Sequence, residues 1–467
     1  MIERGGLKVR DYHPVLRFVL LASVFSVVCA ELLLASTSVI EAKLLASDGD
    51  EGNNFGEHVA VDGDTLVATA PRAPNGEARD AGAAYVFVRD SETGSWMEQQ
   101  KLVPGSSREY LQFGVESVAI AGDTIVVAAT REGVEGSFQQ GAAYVFTRTD
   151  DLTEPWVETQ QLVDEGGRNF DYFGSSLALE GDLLAVGARG AGNGKVMIFE
   201  RDRGGPGLWS EVTTIYDSDL GDGGDNENFG RAVSFDGDLL LVGASDADVS
   251  DIYENDGAAY LFARSTVNPD QWDLSARLTA HEAAVCRDGL TIVEFNTERP
   301  EDRQTATDCA RSEESRSDHD DFGFTVALDG DTAVIGARFA EGENGEYSVG
   351  AAYVFERDST SDTWLEVTKL TPSDASSYAY FGTAVALSEE TAVVGAKGAA
   401  IGDKLGQGAI YIFERQSDGS WTEFAKLIAD DGFSGENYGQ AVALGPLDMV
   451  VSANYADDYS GAVYVHP

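Results

Sequence analysis

The sequence predicts an all-β protein, a seven-bladed β-propeller of four-stranded antiparallel blades closed by an N-terminal strand, on three observations. An aromatic-glycine pair recurs seven times in the 467 residues, each time followed by two short alternating apolar runs. A GAAYVF-like segment follows each copy, and in six copies a tryptophan then stands six residues ahead of an apolar position. The seventh copy lacks that last element, and a segment of the same pattern stands near residue 40.

The pairs are Phe55-Gly56, Phe113-Gly114, Phe173-Gly174, Phe229-Gly230, Phe322-Gly323, Phe381-Gly382 and Tyr438-Gly439. Runs such as HVAV and TLVATA after each pair read as strands one and two, since period-two alternation marks a half-buried strand. Asp-Gly between them, as at Asp62-Gly63, Asp236-Gly237 and Asp329-Gly330, is the type I′ hairpin signal, with positive φ at both residues. GAAYVF at Gly82, Gly141 and Gly350, with variants at Gly194, Gly257, Gly408 and Gly461, gives strand three. Trp96–Leu102, Trp156–Leu162, Trp209–Ile215, Trp272–Leu278, Trp364–Leu370 and Trp421–Leu427 give strand four. Four short antiparallel strands repeated seven times make a propeller, whose blades bury their faces against each other.

The missing fourth strand of blade seven is expected at Ser38–Leu44, because Leu44 stands 11 residues before Phe55. The same interval separates Leu102 from Phe113, Leu162 from Phe173, Leu370 from Phe381 and Leu427 from Tyr438. An N-terminal strand completing the last blade removes an open sheet edge. The expected blades span 55–103, 113–163, 173–216, 229–279, 322–371, 381–428, and 438–466 with 38–45, all in one domain over 31–467.

Residues 1–30 read as a secretory signal: Arg4, Lys8, Arg10 and Arg17 precede an apolar stretch, and Val28-Cys29-Ala30 offers a cleavage site. Only 13 uncharged residues separate Arg17 from Glu31, fewer than the roughly 20 of a spanning helix. An uncleaved anchor running to Ala35 is the second reading. The expected location is therefore secreted or cell-surface, without direct membrane insertion after cleavage. Cys286 and Cys309, 23 positions apart, then read as one disulfide, with a reduced pair as the alternative. The net charge of -48 excludes nucleic acid and anionic lipid as partners, which need a basic face. It suits multivalent cations and basic proteins.

Departures from the repeat locate the expected site. From Leu278 to Phe322 the interval is 44 residues, an insertion of 33 that carries both remaining cysteines within 280–320. It stands at the propeller end that also bears the loops from strand two to strand three. Beside it, the loop before blade four holds Asp217, Asp219, Asp222 and Asp225, and the second-to-third-strand loop holds Asp246, Asp248, Asp251, Glu254 and Asp256. Carboxylates at alternate positions on glycine-rich loops suit Ca²⁺, which takes 6–8 oxygen ligands. A solvated acidic loop is the plainer reading. The four histidines outside the signal, His58, His281, His319 and His466, form no catalytic motif, so no catalytic residue and no enzyme is expected.

The unit FGxxVALDGDTAVVGA, GAAYVFER, W…KL resembles the FG-GAP repeat of integrin α-chain propellers and of many secreted proteins, over residues 38–467. The resemblance implies an extracellular binding or adhesion propeller, often with Ca²⁺. Integrin propellers hold Ca²⁺ between strands one and two, where this chain has tight turns such as Glu389-Glu390, so those sites do not carry over. The expected function is recognition of an extracellular protein through the acidic, insertion-bearing face. A lectin-like glycan binder is the alternative, and a propeller enzyme a third reading that no motif supports.

Overall fold

The protein is described by a computed structural model over residues 42–134, 136–151, 153–220, 228–248, 257–280, 320–342 and 345–467. Strands in these residues form seven four-stranded antiparallel sheets. Blade one comprises β2 (Val59–Asp62), β3 (Thr65–Ala70), β4 (Ala83–Arg89) and β5 (Trp96–Leu102), and blade two β6 (Val118–Ala121), β7 (Thr124–Ala129), β8 (Ala142–Arg148) and β9 (Trp156–Leu162). Blade three comprises β10 (Phe173–Glu180), β11 (Leu183–Ala188), β12 (Lys195–Arg201) and β13 (Trp209–Tyr216), and blade four β14 (Phe229–Asp236), β15 (Leu239–Ala244), β16 (Ala258–Arg264) and β17 (Trp272–Leu278). Blade five comprises β18 (Phe322–Asp329), β19 (Thr332–Ala337), β20 (Ala351–Asp358) and β21 (Thr363–Leu370), and blade six β22 (Phe381–Ser388), β23 (Thr391–Ala396), β24 (Ala409–Arg415) and β25 (Trp421–Leu427). Blade seven contributes β26 (Tyr438–Leu444), β27 (Met449–Ala453) and β28 (Ala462–His466), and β1 (Ala42–Leu44) completes it.

The closing strand pairs antiparallel with β28, as expected: Ala42 faces Val465, Lys43 faces Tyr464 and Leu44 faces Val463. Residues 38–41 lie outside the described ones. Each first strand contacts the first strands of both neighbours, β26 and β2 included, so these strands line the axis. Every blade interface has its own apolar cluster. At the seam between blades seven and one it joins Leu44, Val450 and Val463 to Phe55, Leu66 and Tyr85.

Glycine is required at the seams. Gly82, before β4, bridges in parallel to Phe113 of the next blade, and Gly461, before β28, bridges to Phe55 of blade one. A Cβ on Gly82 would lie 2.3 Å from the Phe113 backbone nitrogen and oxygen, and φ there is +84°. Both steric closeness and the left-handed backbone exclude other residues.

The hairpin turns differ from expectation. Asp62 pairs with Thr65, so the two turn residues are Gly63 and Asp64. Positive φ occurs at Gly63 alone, at +55°, and at the matching Gly237, Gly330 and Glu389. This is the φ pattern of a type II′ turn, in which only the first position is left-handed. The aspartate before the glycine instead accepts a hydrogen bond from the next blade: Asp62 Oδ2 takes the Gly122 N–H at 2.6 Å.

The tryptophans have a partner in the same blade. In six blades an arginine at the end of strand three stands opposite the tryptophan at the start of strand four, as Arg89 with Trp96 and Arg148 with Trp156, with one further pair beyond them in blade five. Arg148 lies 4.6 Å from the centre of the Trp156 ring. Several of these arginines also cross to the preceding blade, Arg89 to Asp448 at 2.8 Å and Arg415 to Glu356 at 2.7 Å. The -FER ending of strand three thus ties blades together.

Candidate functional site

Of the acidic residues expected at blade four, Asp217, Asp246 and Asp248 are described, as is the backbone of Asp219. Asp222, Asp225, Asp251, Glu254 and Asp256, with Cys286, Cys309 and the 1–30 segment, lie outside the described residues. Asp217 is buried in a short 3-10 turn after β13, its N–H donating to Gly194 O at 3.3 Å. Asp246 accepts from Asn228 Nδ2 at 2.5 Å and from Ser245 Oγ at 3.1 Å. The Asp248 carbonyl accepts from Arg277 Nη2 at 3.0 Å. Among the described residues no three His, Cys, Asp or Glu side chains converge as a metal site would require.

The fourth-to-first-strand loops and the second-to-third-strand loops do share one end of the propeller. Tyr110 N–H donates to Arg79 O, Phe170 N–H to Phe138 O and Tyr378 N–H to Tyr347 O, at 2.8–2.9 Å. On this loop face the residue before each aromatic-glycine pair is left-handed in all seven copies, with φ from 53° at Gln112 to 62° at Asn437. A second left-handed residue stands three positions before the pair. It is Gly52 or Gly435 in two loops, the residue that accepts this backbone at no steric cost. In three others it is Tyr110, Phe170 or Tyr378, with φ of 60°, 66° and 63°. For a bulky side chain that conformation costs about 1–2 kcal/mol. Burial does not offset it, because the three side chains are 58%, 48% and 56% exposed. Phe138 and Tyr347 are exposed beside them, and Phe138 meets Phe170 edge-on at 5.4 Å.

At the centre of the same face, charged side chains meet across the axis. Glu116 of blade two binds Arg189 of blade three through two hydrogen bonds, at 2.8 and 3.1 Å. It also accepts from Arg231 of blade four at 3.2 Å, a reach across two blades that requires both groups to lie at the axis. Arg231 and Arg338 both lie against the Phe324 ring, their guanidinium carbons 4.3 and 3.6 Å from its centre. Arg338 Nε donates to Asp321 at 2.7 Å. Lys397 donates to Gln440 Oε1 at 3.1 Å, and Glu57 accepts from Asn454 at 2.9 Å and Gln440 at 3.3 Å. Burial disfavours the Glu116 carboxylate, but the Arg189 bonds and the Arg231 charge hold its pKa below the ordinary value. Burial lowers that of His58, keeping its imidazole neutral near pH 7.

Against known proteins, a model of the FG-GAP repeat matches residues 39–87, 96–146, 156–199, 209–262, 315–355, 364–413 and 421–466. The chain belongs to the FG-GAP repeat family. Of the later FG-GAP segments, those from 96, 156, 209, 364 and 421 begin at the tryptophan of one blade's fourth strand and end in the third strand of the next, whereas the one from 315 begins ahead of β18 and ends in the third strand of the same blade. The first, from residue 39, opens on the segment that leads into β1, so all of these FG-GAP units but the fifth straddle a seam. No curated protein matches this FG-GAP chain. Among solved structures, a candidate 6-phosphogluconolactonase from Bacteroides uniformis aligns with TM-score 0.50 at 11% identity, over 83% of this chain and 89% of that one. Sqt1 of Saccharomyces cerevisiae aligns with TM-score 0.43 at 10% identity, over 87% and 81%. Likeness at such identity concerns the fold alone.

The exposed aromatics and the axial cations went unread in the sequence, although each leaves a signal there. Tyr110, Phe170 and Tyr378 occupy a position that is glycine at 52 and 435, and Glu57, Arg231 and Phe324 one that is Val115, Ser175 and Thr383 elsewhere.

Proposed function

We propose that this FG-GAP propeller is an extracellular recognition module that binds a protein partner through its loop face. The observation that carries this reading is the set of solvent-exposed aromatic side chains in left-handed backbone at Tyr110, Phe170 and Tyr378. Strain without burial is a feature retained for something other than the fold. Tyrosine, phenylalanine and arginine are also the residues in which protein interfaces are enriched. A protein partner is favoured over a repeated glycan because the aromatic set is not repeated around the ring: Gly52 and Gly435 replace it at two seams. No helix among the described residues is long and apolar enough to cross a membrane. Together with the leader-like first thirty residues, this supports an exported protein.

The test places a photo-crosslinking amino acid at Tyr378 or, on the opposite end, at Leu447, which is 68% exposed. Each protein is irradiated in the medium and on the surface of the source cells. One discrete protein adduct from position 378, and none from 447, is expected. Adducts from 447 alone would move the interface to the other end, and retention on a glycan array without a protein adduct would make the partner a carbohydrate.

A further inference from the structure

We propose that the axial mouth of the loop face is an oxyanion site, taking a carboxylate, sulfate or phosphate group between Arg231, Arg338 and Lys397. In a chain with net charge -48, Arg189, Arg231 and Arg338 of consecutive blades three to five meet there through Glu116 and Phe324, and Lys397 of blade six is near enough to be repelled by Arg338 and Arg231. Their carboxylate partners do not use them up. Glu116 receives both Arg189 and Arg231, and Arg231 gives it one hydrogen bond. Arg338 gives Asp321 one, from Nε. Each guanidinium carries five N–H donors in a planar fork that fits two oxygens of one anion.

Lys397 makes no ion pair among the described residues, and its hydrogen-bond partner is a neutral amide. Burial first, and then repulsion from Arg338 and Arg231, hold its pKa below the ordinary lysine value, with Glu57 acting the other way. Glu57, Glu116 and Asp321 act on these cations, with Asp246 close to Asp321, so what the cluster offers an anion is its unspent N–H donors. Phe324 packs against both Arg231 and Arg338, which holds the two forks in place before any ligand arrives. The side chains of Arg231 and Arg338 keep 22% and 26% exposure, which leaves the mouth open to solvent. The site deepens the partner reading, since it lies at the centre of the face assigned to the partner, but it binds free anions without one.

The test is calorimetric titration of the full secreted chain with sodium sulfate and, separately, sodium acetate, with chloride holding ionic strength constant. Saturable binding of at least one is expected, weakened at least tenfold in Lys397→Gln and in Arg338→Gln. Lys101→Gln, which removes a cation bound to Asp48 on the rim, should bind as the parent does. Preference for sulfate would identify a sulfate or phosphate ester as the natural group, and preference for acetate a carboxylate. No saturable binding to the folded parent, or unchanged binding in Lys397→Gln, overturns the proposal. If Arg338→Gln does not fold, Lys397→Gln decides alone. Adducts from position 378 without anion binding would remove this site and leave the partner reading standing. Anion binding without adducts would do the reverse.

Discussion

Gly461 lies against Phe55 at the seam where the last blade meets the first: φ is +91°, and a Cβ there would stand 1.9 Å from the Phe55 carbonyl oxygen. Gly461→Ala should therefore cost at least about 3 kcal/mol, at or beyond the upper end for a single substitution, and expose a sheet edge that aggregates. Gly63→Ala is the control. Its φ is +55° with nothing within 4 Å of the added carbon, so only the left-handed penalty of about 1–2 kcal/mol applies. Urea unfolding of the two variants checks the contrast.

Blade three replaces a polar device used at other seams. Tyr85, Tyr411 and Tyr464 donate to Asp48, Asp374 and Asp431 at 2.7, 2.6 and 3.1 Å, and each aspartate also binds a lysine, Lys101, Lys426 or Lys43. Met197 occupies the tyrosine position of blade three, and Lys195, where other blades carry alanine, forms a buried ion pair with Asp164. Lys195→Met should leave an uncompensated buried carboxylate and cost about 3–5 kcal/mol. Lys195→Met with Asp164→Asn should recover most of that loss, as measured by denaturant unfolding.

Two buried groups, one in blade seven and one in the loop that leads into it, give opposite pH dependences. Burial holds His466 at a pKa of about 4, with Asp430 acting the other way, while its Nε2 lies 2.7 Å from the Tyr438 hydroxyl. Between pH 4 and the ordinary 6.5 the unfolded chain binds a proton that the folded one refuses, so this contribution to stability is lost as pH falls. Burial raises Glu436 to about 7, the Phe433 backbone bond opposing and Asp431 adding to the rise. Here the folded chain holds a proton that the unfolded one releases from pH 4.5 upward, so stability is lost as pH rises to 7. Glu436→Gln should raise the Tm by a few degrees at pH 8 and leave it unchanged near pH 4.5. His466→Gln should flatten the acid limb. Thermal melts from pH 4 to 8 check both signs.

The blade count, strand order and closure were legible because one pattern recurs seven times, and a deficit at the last copy matches a surplus at Leu44. The turn geometry was misread because Asp62-Gly63 suits a two-residue loop by composition, whereas the pairing of Asp62 with Thr65 shifts the loop by one residue. The axial cluster was not legible because Glu116 and Arg231 lie 115 positions apart, in blades that do not adjoin. The acidic loops stood out by local charge density, which says nothing of how a folded loop disposes of its carboxylates. Asp246, for one, is held by Asn228 and Ser245. The strained aromatics are one-residue departures from glycine, visible only when the backbone angle at each copy is known.

The central claim, that the loop face keeps exposed aromatics for a partner and not for the fold, is tested most directly by Tyr110→Gly combined with Tyr378→Gly. Relief of the left-handed penalty, less the entropy glycine adds to the unfolded chain, should give about 0.5 kcal/mol of net stability per site. Affinity for the protein captured by crosslinking at position 378 should fall at least tenfold, measured by titration of that protein against parent and variant. Higher stability with lost binding is the expected result. Unchanged affinity would contradict the account, and lower stability alongside it would assign these rings to packing.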